Sequence, residues 1–210
     1  MFEELEQSEL GTQEYWKKVY ETEVKNFRNH GDIGEVWFGE DIADRIVKWN
    51  EDNIQKSNRI LDVGCGNGML LVQLSRAGYT NLNGIDYSGD AITLAKEVSS
   101  HYQADINYSV GDILRDGICN SYDVILDKGT YDAISLSKDA QKERSLYITN
   151  IHKHLTDNGV LVITSCNWTK EELTLQFDTH FYLHDVIPTP QFKFGGSIGS
   201  VVSCIIFKKK

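Results

Sequence analysis

The sequence is poor in the features that mark secreted, membrane-embedded or metal-stapled proteins. Its four cysteines, Cys65, Cys119, Cys166 and Cys204, include no C-x-x-C pair and no histidine at metal-ligand spacing. That pattern excludes a disulfide framework and predicts reduced thiols with no bound metal. No apolar run approaches the ~18 residues of a membrane-spanning helix. The opening MFEELEQSEL is acidic and has neither a basic n-region nor an apolar stretch, so the expected compartment is the cytosol, with the nucleus also open. Positive charge is scarce as well. Lys and Arg number 21 against 31 Asp and Glu, a net charge of -10, which argues against a phosphate-backbone binder. The closing Lys208-Lys209-Lys210 is too short to track one. No repeat, low-complexity tract or linker interrupts the chain.

What is present fits one domain of 210 residues. Residues 1–56 are expected to form a helical extension that covers the cofactor and substrate, and residues 57–210 the catalytic core. Tyr15, Trp16, Val19, Tyr20, Val24 and Phe27 recur at helical spacing, and Ile42, Ile46 and Trp49 mark a second helix over 40–49. Between them HGDIGEVWFGE (30–40) is too glycine-rich for a regular element and too aromatic for a solvated linker. From residue 57 short apolar strands alternate with helical stretches, the pattern of a parallel sheet with crossover helices. Strands are predicted at 59–63, 82–86, 106–110, 122–127 and 159–165, each followed by a helix. Thr169 and Glu172 form a T-x-x-E capping box for a helix at 169–179. The runs 181–187 and 201–207, separated by Pro188, Pro190 and a flexible Gly195-Gly196, lack an intervening helix. They should pair as an antiparallel hairpin at one sheet edge.

Chemistry concentrates at the strand ends. The run Ile60-Leu61-Asp62-Val63-Gly64-Cys65-Gly66-Asn67-Gly68 leads a strand through alternate glycines into a helix. Glycine there allows a tight turn and close backbone approach to a ligand. Met69 replaces the last glycine of a dinucleotide fingerprint, so a nicotinamide cofactor is disfavoured. An acid beside the loop, Asp62, suits a cationic ligand. Asp86 ends the second strand where a Rossmann-like sheet places an acid against ribose hydroxyls. Asp127 ends the fourth strand and should face the reaction centre, because ligands bind beyond the carboxyl ends of the strands. Tyr131, Trp37 and Trp168 are candidate aromatic walls for a cationic amine. Each of these aromatics has core packing as its plain alternative, as Asp86 has helix N-terminal charge.

The pattern D-x-G-x-G-x-G of Asp62, Gly64, Gly66 and Gly68 resembles the first signature of the class I S-adenosylmethionine-dependent methyltransferases. That resemblance implies a seven-stranded Rossmann-like sheet, mostly parallel, with an antiparallel C-terminal hairpin strand and helices on both faces. It also implies S-adenosyl-L-methionine as cofactor, with Cys65 and Tyr87 in its shell. Asp112 would meet the adenine amino group and Ile113 would pack on the ring. The segments GDIGEVWFGED (31–41), GIDYS (84–88), DKGTYDAISL (127–136), ITSCNWTKEEL (163–173) and PTPQFKFGG (188–196) narrow the likeness to the methyltransferase-like protein 10 family. Its members methylate a lysine of translation elongation factor 1-alpha. The resemblance implies a protein-lysine N-methyltransferase that adds up to three methyl groups, with that factor as partner. Asp127 and Tyr131 would then be catalytic, Asp127 also cofactor-bound. Trp37, Phe38 and Trp168 would hold the acceptor, with Trp37 against the cofactor too.

Free lysine has a pKa of about 10.4, so the site must bind an ammonium, release its proton and align the lone pair with the methyl group. The acidic chain suits the basic acceptor expected from the resemblance. A monomer is expected, without nucleic acid or membrane as partner. Two alternatives stay open. One is a small-molecule or other-protein acceptor on the same fold; base methylation is disfavoured because the strand-end prolines of that chemistry are missing. The other is a non-catalytic module that binds the cofactor to stabilise a partner.

Overall fold

The computed structural model describes residues 3–115, 118, 120–194 and 197–210, with side chains left undescribed over 192–200. Two earlier expectations, the thiol state of Cys119 and the flexibility of Gly195-Gly196, lie outside the described residues. Cys65, Cys166 and Cys204 are free thiols.

The architecture is the expected seven-stranded sheet, in the order β3-β2-β1-β4-β5-β9-β6. The strands are β1 (Ile60–Val63), β2 (Leu82–Asp86), β3 (Asn107–Val110), β4 (Tyr122–Lys128), β5 (Leu155–Ser165), β6 (Phe181–Val186) and β9 (Ser203–Lys209). β1 to β5 run parallel, and β9 is antiparallel to both β5 and β6. The last two runs therefore pair as predicted, but only β6 is at the edge. A small hairpin, β7 (Gln191–Phe194) with β8 (Ser197–Ser200), intervenes. Among the described residues no helix follows β3, and two, α5 (Thr130–Ser135) and α6 (Ala140–His154), follow β4.

One face of the sheet packs on α2 (Gly39–Asn53) and α3 (Met69–Arg76), with Ile60, Val124, Leu126 and Val162 in that layer. The other face carries Leu61, Val63, Ile125 and Ile163 under α5, α6 and α7 (Lys170–Phe177). Consecutive residues of β1 and β4 thus point to opposite layers, both buried, so these strands read as continuous apolar runs. α1 (Gln13–His30) buries Tyr20 and Val24 against α3 and α4 (Gly89–His101). Thr12 Oγ1 accepts the Tyr15 amide at its start, and Gly31, at φ 72, stops it. The Thr169–Glu172 capping box forms in full at α7.

The chain runs outward from β1 to β3, then returns to place β4 on the other side of β1. That reversal opens a crevice at the carboxyl ends of β1 and β4. No helix among the described residues is long and apolar enough to cross a membrane.

Candidate active site

A cavity fills this crevice. On one side it is lined by Gly64, Cys65 and Gly66 after β1, Asp86 and Tyr87 after β2, and Gly111 and Ile113 after β3. On the other side are Lys128 of β4, Asp132 of α5, and Cys166 and Asn167 after β5. Trp16, Tyr20, Glu35, Trp37 and Phe38 close it from the N-terminal segment.

The glycine turn is shaped by its neighbours as well as by any ligand. Gly66 has φ +54, and a Cβ there would sit 2.7 Å from the Tyr20 hydroxyl. Gly68 is the N-cap of α3, does not line the cavity, and is kept small by the Tyr108 hydroxyl. The motif therefore serves packing at one end and the cavity at the other. Asp86 is 6% exposed and accepts Gly66 N at 3.2 Å and Ser88 N at 2.9 Å. A carboxylate has about four lone-pair sites, so acceptor capacity remains for a diol. Burial pushes its pKa up to about 6, against the two amides that hold the charged form. Asp112 turns its carboxylate to Leu114 N at 2.8 Å and to Arg115 at 3.4 Å, while its neighbours Gly111 and Ile113 line the wall. The wall at Gly111 and Ile113, the glycine turn and the acid at β2 fit an adenosyl group.

Besides Gly68 and Asp112, four expected positions lie outside the cavity lining. Asp127 is 1% exposed and points into the α5 and α6 layer. It accepts Thr130 N at 2.9 Å, Tyr131 N at 3.0 Å and the Tyr147 hydroxyl at 2.5 Å. It anchors the start of α5 and does not line the cavity. Burial pushes its pKa up to about 7. Tyr131 is fully buried, and its hydroxyl donates to Gln176 Oε1 at 2.7 Å. Trp168 is 3% exposed, with its indole N–H on Ser135 Oγ at 3.0 Å and the Arg144 guanidinium over its ring. Tyr131 and Trp168 are core residues whose polar ends found partners, as buried aromatics require. Asp62 lies behind the glycine turn, and burial raises its pKa to about 7 while Lys128 draws it back down.

The carboxylate that does line the cavity from this side is Asp132, 6% exposed. It accepts the Ser165 hydroxyl and Cys166 N at 2.8 Å, tying α5 to the turn after β5. Asp132 and Lys128 both belong to the DKGTYD segment (127–132), and neither carries a role in the sequence pattern alone. Strand parity says only that Lys128 points opposite to Asp127, and no local signal brings Asp132 of α5 to the turn after β5. From the sequence, Tyr20 and Trp16 mark only a helix face. In fact Trp16 stacks on Tyr20 at 6.2 Å and meets Trp37 edge-on at 5.3 Å, making an aromatic wall.

Comparisons with known proteins identify the family. The profile of a methyltransferase domain family matches residues 54–188. The chain is 43% identical to EEF1A lysine methyltransferase 2 of Danio rerio, over 99% of this chain and 91% of that protein. It is 44% identical to the protein-lysine N-methyltransferase efm4 of Schizosaccharomyces pombe, over 97% and 95% of the two chains. The fold is shared with the N-methyltransferase NodS of Bradyrhizobium japonicum solved with S-adenosylhomocysteine, at TM-score 0.69 and 16% identity over 92% and 98% of the chains. The methyl donor is S-adenosylmethionine. This chain is an enzyme of the methyltransferase domain family, belonging with the protein-lysine N-methyltransferases EEF1A lysine methyltransferase 2 and efm4.

Proposed function

We propose that the chain methylates a lysine side chain of translation elongation factor 1-alpha. The observation that carries this reading is the second half of the cavity, where Asp132 and Glu35 stand with Trp37 and Phe38 beside the glycine turn. Such a chamber suits a long aliphatic side chain ending in an amine: aromatic faces for the stem and for the cation as methyls accumulate, carboxylates for the ammonium. The names of the near-full-length relatives supply the acceptor.

When bound, S-adenosylmethionine supplies an electrophilic methyl group on a sulfonium. Asp86 would hold the ribose hydroxyls with its remaining lone pairs, and Ile113 would pack on the adenine. Asp132 would receive the ammonium in place of Asp127, orienting the nitrogen while its proton leaves to solvent. Trp37 and Phe38 would exclude water from the reacting nitrogen and keep its approach in line. Residues 1–56 act as the cover, a role supported by Trp16, Tyr20 and Trp37 in the wall. The net charge of -10 supports docking on a basic protein over a nucleic acid or membrane, and the reading takes the chain as a cytosolic monomer.

The test is to incubate the purified chain with methyl-labelled cofactor and elongation factor 1-alpha and to map the product by mass spectrometry. One lysine carrying one or more methyl groups is expected. Label appearing only in small molecules, or cofactor bound with no label transferred to the factor, overturns the reading.

A further inference from the structure

The loop that carries Trp37 and Phe38 has no secondary structure of its own over 31–36, yet it forms part of the cavity wall. Its backbone is held from two sides. Asn67, in the glycine turn, donates from Nδ2 to Ile33 O at 3.0 Å and Glu35 O at 3.3 Å. From the other side Lys128 Nζ donates to Trp37 O at 3.2 Å and stands 6.0 Å from the centre of the Phe38 ring. Phe38 takes a left-handed conformation, φ 65, that a bulky side chain adopts only when its surroundings impose it. Its ring lies against Gly129, where a Cβ would be 3.1 Å from Phe38 Cε2. The imposed conformation and the clamp therefore meet at one point, the end of β4.

We propose that Lys128 is a positioning residue that locks the Trp37–Phe38 wall onto the end of β4, and so sets how tightly the acceptor is held. The proposal rests on the lysine-acceptor reading above. The pairing of β4 with β1 and β5 makes the strand end a rigid anchor. Alternation along the strand sends Lys128 to the same layer as Leu126, toward Asp62 and the Trp37–Phe38 loop, and not toward α5. An ammonium partly withdrawn from water needs compensating charge. Burial lowers its pKa, while Asp62, Asp127 and Glu35 oppose that shift and favour the cation. The acids thus allow a cation there, and its hydrogen bond is aimed at a loop carbonyl. Acceptor binding and cofactor binding would consequently be separable: Lys128 fixes the loop's Trp37 end, whereas the cofactor shell rests on Asp86 and the glycine turn.

The experiment uses the full chain carrying Lys128→Met, read first by amide hydrogen exchange without any acceptor. Exchange should accelerate in 33–39 while β1, β4 and α4 stay protected; unchanged exchange in 33–39 overturns the proposal. In steady-state assays KM for the acceptor protein should rise about tenfold or more, the worth of one charge-assisted hydrogen bond, with cofactor affinity within about twofold. Loss confined to cofactor affinity, or faster exchange with unchanged acceptor KM, overturns it as well. In a double-mutant cycle with Trp37→Ala, which removes the ring but keeps the carbonyl and Phe38, the combined loss should be smaller than the sum of the single losses, because both act through one loop. Additive losses would mean that Lys128 acts elsewhere. Lys128→Arg, which keeps cation and donor, should recover part of the acceptor affinity; no recovery over Lys128→Met overturns the clamp. Should Lys128→Met not fold, Lys128→Gln, too short to reach the Trp37 carbonyl, is read by the same criteria. Exchange is measured without an acceptor, so an incorrect acceptor assignment fails separately from the clamp.

Discussion

The two halves of the cavity are built on different plans. The half around Asp86 comes from strand ends and the turns that follow them, each turn continuous with its own strand. The half around Asp132 joins segments far apart in the chain: Trp37 with Lys128, and Asp132 with Cys166. A ligand group repeated in every enzyme of a fold can be held by local turns. An acceptor that differs between enzymes is met by loops that vary independently of the sheet.

The sharpest way to break this comparison is Asp127, which belongs to neither half. Asp127→Asn places an amide N–H₂ among donors that now meet a carboxylate, so stability should fall by about 2–4 kcal/mol. Urea unfolding beside turnover would check it. An Asn variant of normal stability with turnover alone lost would return Asp127 to the reaction centre. Next in size, Asp86→Ala should weaken cofactor binding by about 1.5–3 kcal/mol and leave acceptor KM nearly unchanged. Calorimetric titration would show it, and an intact cofactor affinity would leave Asp86 as only the acceptor of Gly66 N and Ser88 N.

A more gradual effect is expected from pH. Burial raises Asp62 and Asp127 to about 7 and Asp86 to about 6, so the folded chain binds protons more tightly than the unfolded one. For these acids the stabilisation is fully present below about pH 3.9 and is lost as pH rises through the folded values toward about 7. Urea midpoints should therefore fall between about pH 5 and about pH 8, and Asp62→Asn should flatten the slope. A rise over that window would contradict the burial account. The smallest effect belongs to Trp168→Phe, which removes the hydrogen bond to Ser135 and should cost about 1 kcal/mol of stability with acceptor KM unchanged. A raised KM would put Trp168 back in the acceptor wall.

Sequence by itself determined the sheet, because strand, turn and helix signals are local and the chain is consistent at each of them. It also located the glycine turn, Asp86 and Ile113, since each follows its own strand by a step or two. The Thr169–Glu172 box and the aromatic loop over 31–38 were legible for the same reason. The tertiary structure alone decided what depends on direction. In a parallel strand buried on both faces, apolar residues give no alternation to read, so nothing in YDVILDK says that Asp127 points under α5 while Lys128 points to the cavity. One residue of parity separates a buried anchor from a group in the wall. Tyr131 and Trp168 were indistinguishable from wall residues until packing supplied Gln176 and Ser135 as their partners. Tyr20 entered the site because α1 folds back over the glycine turn, a contact between residues 20 and 66 that no local signal carries.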